Sequence, residues 1–294
     1  MNNFNYKTAF SRNIGWVTEA EQSMLCSKRI AIAGMGGVGG GHLLTLTRLG
    51  VGAFNIADFD TFEIANFNRQ AGATISSLGK PKVEMLAGMA RDINPDLKIR
   101  QFSQGVDKEN LEDFLQGVDL FVDGLDFFEI PVRRAVFAAC YHLNIPAITA
   151  APLGMGAAVV VFQPGGMTFD QYFCLEGCCE EEIALRFLVG LSPAMLQRGY
   201  LVDFSQVDFV NRRGPSTIMA CQLCSGLAST EALKILLGRG KVLAAPFGYQ
   251  LDSYKCRLVK TWRPGGNRNI LQRITIWSAL RIIRQMRKSF RVQE

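Results

Sequence analysis

The chain has 294 residues, 48% of them hydrophobic and 20% charged, with a net charge of +6. This is the composition of an ordinary globular protein, and a core of this size needs neither disulfides nor a structural metal. Residues 260–294 carry nine Lys or Arg and one acid, which leaves 23 basic and 25 acidic residues in the rest of the chain. The nearly neutral body is therefore not expected to bind DNA.

The opening sequence MNNFNYKTAF is polar and lacks the apolar segment of a secretory signal. No uncharged apolar run reaches the 18 residues of a membrane-spanning helix. These features predict a cytoplasmic protein whose eight cysteines are reduced thiols.

Short β-branched runs alternate with helical patterns through the first half of the chain. Strands are predicted at Lys28–Gly34, Phe54–Asp60, Lys98–Phe102, Leu120–Asp123 and Ile145–Ala150, and helices at His42–Leu49, Lys82–Ile93, Leu111–Leu115 and Pro131–Leu143. The alternation predicts an α/β fold with a doubly wound, Rossmann-like, mostly parallel sheet.

The alternation stops after Pro152. Gly156–Phe162 is a predicted strand with no helix directly after it, and a Cys- and Glu-rich, partly helical insertion spans about residues 167–212. A strong helical pattern covers Thr217–Leu237, and Gly248–Val259 alternates as an antiparallel strand pair does. We therefore expect one domain over residues 1–264 with a C-terminal antiparallel extension.

Residues 265–294 follow a predicted hinge, Pro264–Gly266, and form a basic amphipathic helix by pattern. Its apolar positions are Ile270, Ile276, Leu280, Ile283, Met286 and Phe290, and its basic stripe is Arg281, Arg284, Lys288 and Arg291. Such a helix packs on the body or on a second subunit, contacts an anionic membrane surface weakly and reversibly, or fits a partner's groove.

A glycine-rich loop joins the first predicted strand to the first helix. Gly34, Gly36, Gly37 and Gly39 would let backbone N–H groups approach a phosphate at a helix N-terminus. Asp58 ends the next strand, where an acid commonly accepts hydrogen bonds from ribose hydroxyls. These features predict a nucleotide site, but they do not separate ATP from NAD or FAD.

Charged and amide side chains gather after neighbouring strands. Asn66, Asn68, Arg69 and Gln70 follow the Asp58 strand, Lys82 opens a helix, and Asp126 follows the fourth strand. Carboxyl ends of parallel strands meet at one crevice, so these groups are expected to converge. Arg and Lys neutralise charge on a phosphate, and Asp binds Mg²⁺, which favours ATP chemistry.

The motifs GMGGVG, DFD, NFNRQ, GKPK, INP and DGLD resemble, in order and spacing, those of the ThiF/MoeB/HesA family, the bacterial branch of the ubiquitin-activating-enzyme superfamily. The resemblance covers about Tyr6 to Phe162, and the helix Gly226–Gly238 is also similar. It implies that residues 1–264 are a ThiF-type adenylation domain that uses ATP and Mg²⁺.

The resemblance also implies roles for single residues. Gly36, Gly37 and Gly39 would line the ATP phosphates, Asp58 would hold the ribose, and Lys82, rather than Lys80, would bind phosphate. The expected nucleotide site comprises Gly34, Gly36, Gly37, Gly39, Asp58, Asp60, Asn66, Asn68, Arg69, Gln70, Lys82 and Asp126, with Asp126 as the Mg²⁺ ligand. Arg12 resembles an arginine that the family inserts from the opposing subunit, so an active homodimer is expected.

By resemblance, the reaction joins a carboxylate to the α-phosphate of ATP and releases pyrophosphate, with Arg12, Arg69, Lys82 and Asp126 as catalytic residues. The expected substrate is the C-terminal glycine of a ubiquitin-like or sulfur-carrier protein. The same chemistry on another carboxylate, of a modified tRNA base or a peptide, stays open. So do a nicotinamide- or flavin-dependent oxidoreductase and a non-catalytic dimeric binding protein.

Cysteine placement departs from the family pattern, because no second Cys-x-x-Cys pair follows near the C-terminus. Cys221 and Cys224 are candidate Zn²⁺ ligands, with small core residues as the other interpretation. Cys174, together with Cys178 and Cys179, lies where a loop could present a thioester-forming thiol. Cys174 is the first candidate on position.

Overall fold

The computed structural model describes residues 4–207, 212 and 214–290, with the backbone alone at 282–290. Its centre is a parallel sheet of five short strands. These are β1 (Arg29–Ala33), β2 (Ala53–Ala57), β3 (Lys98–Phe102), β4 (Leu120–Asp123) and β5 (Ala147–Leu153), and they are buried except for the edge strand β3. They pair in the order β3-β2-β1-β4-β5. The order reverses between β1 and β4, where a crevice opens at the carboxyl ends of the strands.

Three antiparallel strands extend the sheet beyond β5. They are β6 (Gly156–Phe162), β7 (Phe247–Asp252) and β8 (Arg257–Trp262), and each pairs with the strand before it. The predicted α/β fold with a mostly parallel sheet and an antiparallel C-terminal extension is confirmed.

Helices cover both faces of the sheet. They are α1 (Tyr6–Ala9), α2 (Glu19–Ser27), α3 (Gly39–Leu49), α4 (Lys82–Ile93), α5 (Leu111–Leu115), α6 (Ile130–His142), α7 (Phe169–Phe173), α8 (Glu180–Leu191), α9 (Ile218–Leu237) and α10 (Ile270–Phe290). Ile30 and Ile32 pack under α3, α4 and α9, whereas Ala31 and Ala33 face the phenylalanine-rich core of α5 to α8. Alternate strand residues thus enter separate cores. None of the described helices combines the length and apolarity needed to cross a bilayer.

The Cys- and Glu-rich insertion contains two α-helices, α7 and α8. α7 ends at Cys174, whose φ of 53° is left-handed, and Gly177 has a φ of 72°. α8 begins after Cys179 and ends at Leu191, two residues before Pro193. The two left-handed residues separate α7 from α8, and the proline prevents α8 from continuing.

The start of the C-terminal segment is attached to the body. Gly266 and Asn267 are buried, and the Asn267 amide donates to the carbonyls of Phe173 and Arg186. The chain is therefore attached to the body at Gly266 and Asn267, directly after the exposed Pro264 and Gly265, and the hinge at Pro264–Gly266 stays a prediction. Side chains of Ile283, Arg284, Met286, Lys288 and Phe290, and all of Arg291, lie outside what the structure describes.

Candidate active site

The β1–α3 connection forms a tight turn that only glycine can occupy at its two ends. Gly34 has a φ of 86°, and a Cβ there would overlap the Gly124 carbonyl. A Cβ on Gly39 would overlap the Gly34 carbonyl, so Gly39 serves packing and is buried. Gly36 and Gly37 lie in the accessible part of the loop, next to the N-terminus of α3. This is the arrangement that binds an anion through backbone N–H groups.

Asp58 is tied to this loop. Its Oδ2 accepts a 2.6 Å hydrogen bond from the Met35 N–H, and its Oδ1 accepts one of 2.8 Å from the Asp60 N–H. Burial raises the pKa of the Asp58 carboxyl, while the two N–H groups and nearby Lys82 partly offset that rise. The acid is therefore held in one orientation at the edge of the crevice.

Lys82 is the buried lysine of this region. Its Nζ lies 2.8 Å from Asp60 Oδ2, and its side chain is 6% exposed although it carries a charge. Lys80, two residues earlier, is exposed. Because a buried lysine needs a charged partner, the Asp60 contact fixes Lys82 near Asp58.

Arg69 lies beside the accessible glycines. A Cβ built on Gly37 would be 3.7 Å from Arg69 Cδ, and Arg69 Nη1 donates to the Asn68 side chain at 2.9 Å. Asn68 in turn donates to the Ser216 carbonyl at 3.1 Å, which joins this turn to the segment before α9. The arginine is thus positioned against the loop from the side of α9.

Gln70 and Asn66 have different tasks in the same turn. Gln70 is 8% exposed, its Nε2 lies 3.7 Å from a Cβ built on Gly36, and its Oε1 has no hydrogen-bond partner among the described residues. Asn66 accepts from the Glu63 N–H at 3.0 Å and closes the turn itself. An unpaired buried amide oxygen on a side chain beside the glycine loop is suited to accept from a ligand donor.

The two acids of the β4–α6 connection, Asp123 and Asp126, differ in burial and in their partners. Asp123 is buried and accepts from Arg133 Nε at 2.7 Å and from Thr149 Oγ1 at 2.8 Å. Asp126 is exposed, its Oδ1 accepts from the Phe128 N–H at 3.0 Å, and it forms no ion pair with any described side chain. Asp126 therefore keeps an oxygen for a ligand, whereas Asp123 is structural.

Arg133 shapes the loop that carries Asp126. Its Nη2 donates to the carbonyls of Leu125 at 2.8 Å and Asp126 at 3.0 Å, and its guanidinium lies 4.7 Å from the ring centre of Phe187. The sequence interpretation missed this residue. The available signal was a cation on the apolar stripe of α6, between Ile130 and Phe137.

Asp126 fits a Mg²⁺ ion as a single carboxylate ligand at the crevice. Over residues 4–207 and 214–281, no group of three or more acids, His or Cys is arranged to hold a metal. Mg²⁺ is commonly held by one or two carboxylates, with substrate phosphates and water completing the shell. A Mg²⁺ held by Asp126 would therefore arrive with the nucleotide.

Cys221 and Cys224 do not make a zinc site. Cys224 lies in the apolar core, where burial raises the pKa of its thiol well above the usual value. Cys221 lies 3.5 Å from a Cβ built on Gly37, and burial raises its pKa as well. Two thiols without further described ligands cannot fill a tetrahedral shell, so the donor set does not fit Zn²⁺.

Arg12 lies away from the glycine loop of its own chain. The neighbouring Asn13 donates to Leu49 O at 3.2 Å, at the C-terminal end of α3. The loop is at the other end of that helix, which is about 16 Å long. Because Arg12 is exposed and lies at the far end of α3 from the loop of its own chain, it is free to contact the glycine loop of another copy.

The candidate thioester cysteines lie between α7 and α8. Cys174 is half-buried and its Sγ lies 3.2 Å from the Gln171 carbonyl oxygen. Cys179 is exposed, and burial raises the pKa of Cys178. Phe187 of α8 contacts Arg133, so this insertion is linked mechanically to the Asp126 loop.

Known proteins resemble this chain in sequence and in fold. A model of the ThiF family matches residues 10–270. The sulfur carrier protein ThiS adenylyltransferase of Escherichia coli is 32% identical over 143 residues, which cover 49% of this chain and 56% of that protein. The SAMP-activating enzyme E1 of Haloferax volcanii is 28% identical over 222 residues, 76% of this chain and 72% of that protein. The matched part thus spans about half the length of the E. coli relative.

A solved structure extends the likeness to the fold. E. coli MccB, crystallised with MccA-N7isoASN, superposes with a TM-score of 0.67 at 17% identity, covering 88% of this chain and 72% of that chain. The shared architecture therefore includes the antiparallel extension as well as the parallel sheet.

Proposed function

This chain belongs to the ThiF family, and on that premise we propose that it is an adenylyltransferase that activates a carboxylate with Mg-ATP. A carboxylate oxygen of the substrate attacks the α-phosphorus of ATP. The bond from that phosphorus to the bridging oxygen breaks, and pyrophosphate leaves with the electron pair. The products are an acyl-adenylate and pyrophosphate.

One observation carries the proposal: two cations flank the glycine loop, with Arg69 beside Gly37 and Lys82 close to Asp58. Asp58 bonds to the loop at Met35, and Lys82 is tied to Asp60 at 2.8 Å. A reaction at a phosphate needs such pre-positioned positive charge, whereas hydride transfer does not. This favours adenylation over a nicotinamide- or flavin-dependent oxidoreductase.

The residues act by position and charge. The attacking carboxylate is already ionised near neutral pH, so no residue has to remove a proton. Lys82 and Arg69 stabilise the negative charge that develops on the phosphate, and Asp58 orients the ribose. Mg²⁺, held by Asp126, would neutralise phosphate charge. The unpaired Gln70 Oε1 would accept a hydrogen bond from a donor on the nucleotide or the substrate.

The proposed substrate is the C-terminal glycine of a ubiquitin-like or sulfur-carrier protein. The names of two relatives, a ThiS adenylyltransferase and an activating enzyme E1, support this choice. The same chemistry on the carboxylate of a peptide or of a modified tRNA base is the alternative.

We also propose a homodimer, which would bring the exposed Arg12 of one copy to the site of the other. We further propose a cytoplasmic location.

Pyrophosphate exchange into ATP tests the substrate. Purified carrier proteins with an intact C-terminal glycine are compared with the same carriers lacking that residue or bearing a C-terminal amide. We expect exchange only with the intact, free carboxylate. Equal exchange with the truncated or amidated carriers would contradict a carrier substrate, and exchange driven instead by a peptide or tRNA would identify the alternative.

A further inference from the structure

The exposed side of α10 carries an apolar stripe that the adenylation site does not use. Ile270, Ile274 and Trp277 are 70%, 56% and 61% exposed. Their spacing of four and three residues places them on one side of the helix. Arg273 and Arg281 are also exposed, and Arg281 lies 5.5 Å from the ring centre of Trp277. We call Ile270, Ile274 and Trp277 the α10 stripe.

α10 is fixed to the body by its other side. Ile276 is 4% exposed and packs with Leu185 and Val189 of α8. Gln272 donates to the Val189 carbonyl at 3.0 Å and accepts from Arg263 at 3.3 Å. The stripe is therefore presented outward by a docked helix, and folding alone does not explain an isoleucine and a tryptophan in contact with water.

Charge indicates what covers the stripe. Residues 260–294 contain nine Lys or Arg and one acid, whereas residues 1–259 contain 23 basic and 25 acidic residues. A second copy of this nearly neutral body offers almost no net negative charge to match the tail. An anionic lipid surface does, and its interface also accepts tryptophan and isoleucine from a helix that lies flat.

We propose that α10 docks this protein reversibly on anionic membranes, with the α10 stripe inserted among the lipid headgroups and arginines held at the lipid phosphates. The described part of α10 has both components that stable binding of this kind requires, apolar area and positive charge. Nucleic acid is the less suitable partner, since phosphate contacts alone leave the apolar stripe in water.

Co-sedimentation of the full-length protein with vesicles tests this proposal. The vesicles are pure phosphatidylcholine or an equimolar mixture of phosphatidylcholine and phosphatidylglycerol. We expect about tenfold tighter binding or more to the anionic vesicles, and loss of that gain at about 0.5 M salt. The Ile274→Ser/Trp277→Ser variant should bind at least about tenfold more weakly.

Trp16→Ser is the matched control, because Trp16 is 85% exposed and lies outside α10. It should bind vesicles as the wild type does. Circular dichroism and melting temperature verify that both variants fold. The proposal is overturned by equal binding to neutral and anionic vesicles, by no binding, or by a double variant that binds like the wild type. It is also overturned if the double variant changes only the oligomeric mass or only RNA binding.

Discussion

At the scale of single residues, His42 is a buried imidazole with no described partner for either ring nitrogen. Burial lowers its pKa from 6.5 to about 4. The unfolded chain therefore binds a proton at pH values where the folded protein does not. The contribution of neutral His42 to the free energy of unfolding is complete above pH 6.5 and is lost as the pH falls towards 4.

We predict that this group lowers the free energy of unfolding by about 3 kcal/mol between pH 7.5 and pH 4. His42→Leu should remove that part of the pH dependence, as measured by urea unfolding at the two pH values. His142→Leu, at an exposed position, is the matched control. An unchanged pH dependence in His42→Leu would contradict the assignment.

A comparison of Lys82 with Lys80, two residues earlier, distinguishes a specific phosphate contact from the effect of general surface charge. Lys82→Met should lower the rate of pyrophosphate exchange by about 100-fold, because a pre-positioned cation is lost. Asp60 is half exposed, so its carboxylate can be solvated after the change. Lys80→Met should stay within about twofold of the wild type, since exposed charges contribute little. Equal losses in the two variants would refute the distinction.

At the scale of elements, the β1–α3 turn contains glycines with different tasks. A Cβ on Gly37 would meet Cys221 Sγ at 3.5 Å, an ordinary contact, whereas one on Gly39 would overlap a backbone carbonyl. Gly37→Ala should therefore fold but lose most of the rise in melting temperature that Mg-ATP gives to the wild type. Gly39→Ala should lose about 2 kcal/mol or more of folding stability. A Gly37→Ala protein stabilised normally by Mg-ATP would exclude a phosphate at this position.

Elements whose sequence periodicity matches their burial could be predicted, and α4, which buries Val83, Leu86 and Ala90, has the expected bounds. The position of Asp58 beside the glycine loop follows from the rule that parallel strands end at one edge, and Asp58 accepts a hydrogen bond from the Met35 N–H there. The Asp123–Arg133 pair could not be foreseen, because it joins two elements through side chains ten residues apart. The same holds for the proximity of Cys221 to Gly37, which depends on how α9 crosses α3.

At the scale of the whole molecule, variants at Arg12 test whether one chain forms a complete active site or two copies share each site. If two copies share each site, Arg12→Ala and Asp126→Ala should each abolish pyrophosphate exchange. Co-expression of the two variants should restore about a quarter of the wild-type activity, because half of the dimers then hold one intact site. The purified mixture is assayed beside each variant alone. No recovery in mixed dimers, or full activity of Arg12→Ala, would contradict a site shared between copies.

Substrate-dependent exchange of labelled pyrophosphate into ATP is the most direct test of adenylation. Asp126 lies exposed at the crevice and forms no ion pair with any side chain in the described part of the chain, so Asp126→Ala should fold normally. We predict exchange that depends on a carboxylate substrate and Mg²⁺ in the wild type, and none above background in folded Asp126→Ala. Near-normal exchange in that variant would contradict the proposed mechanism.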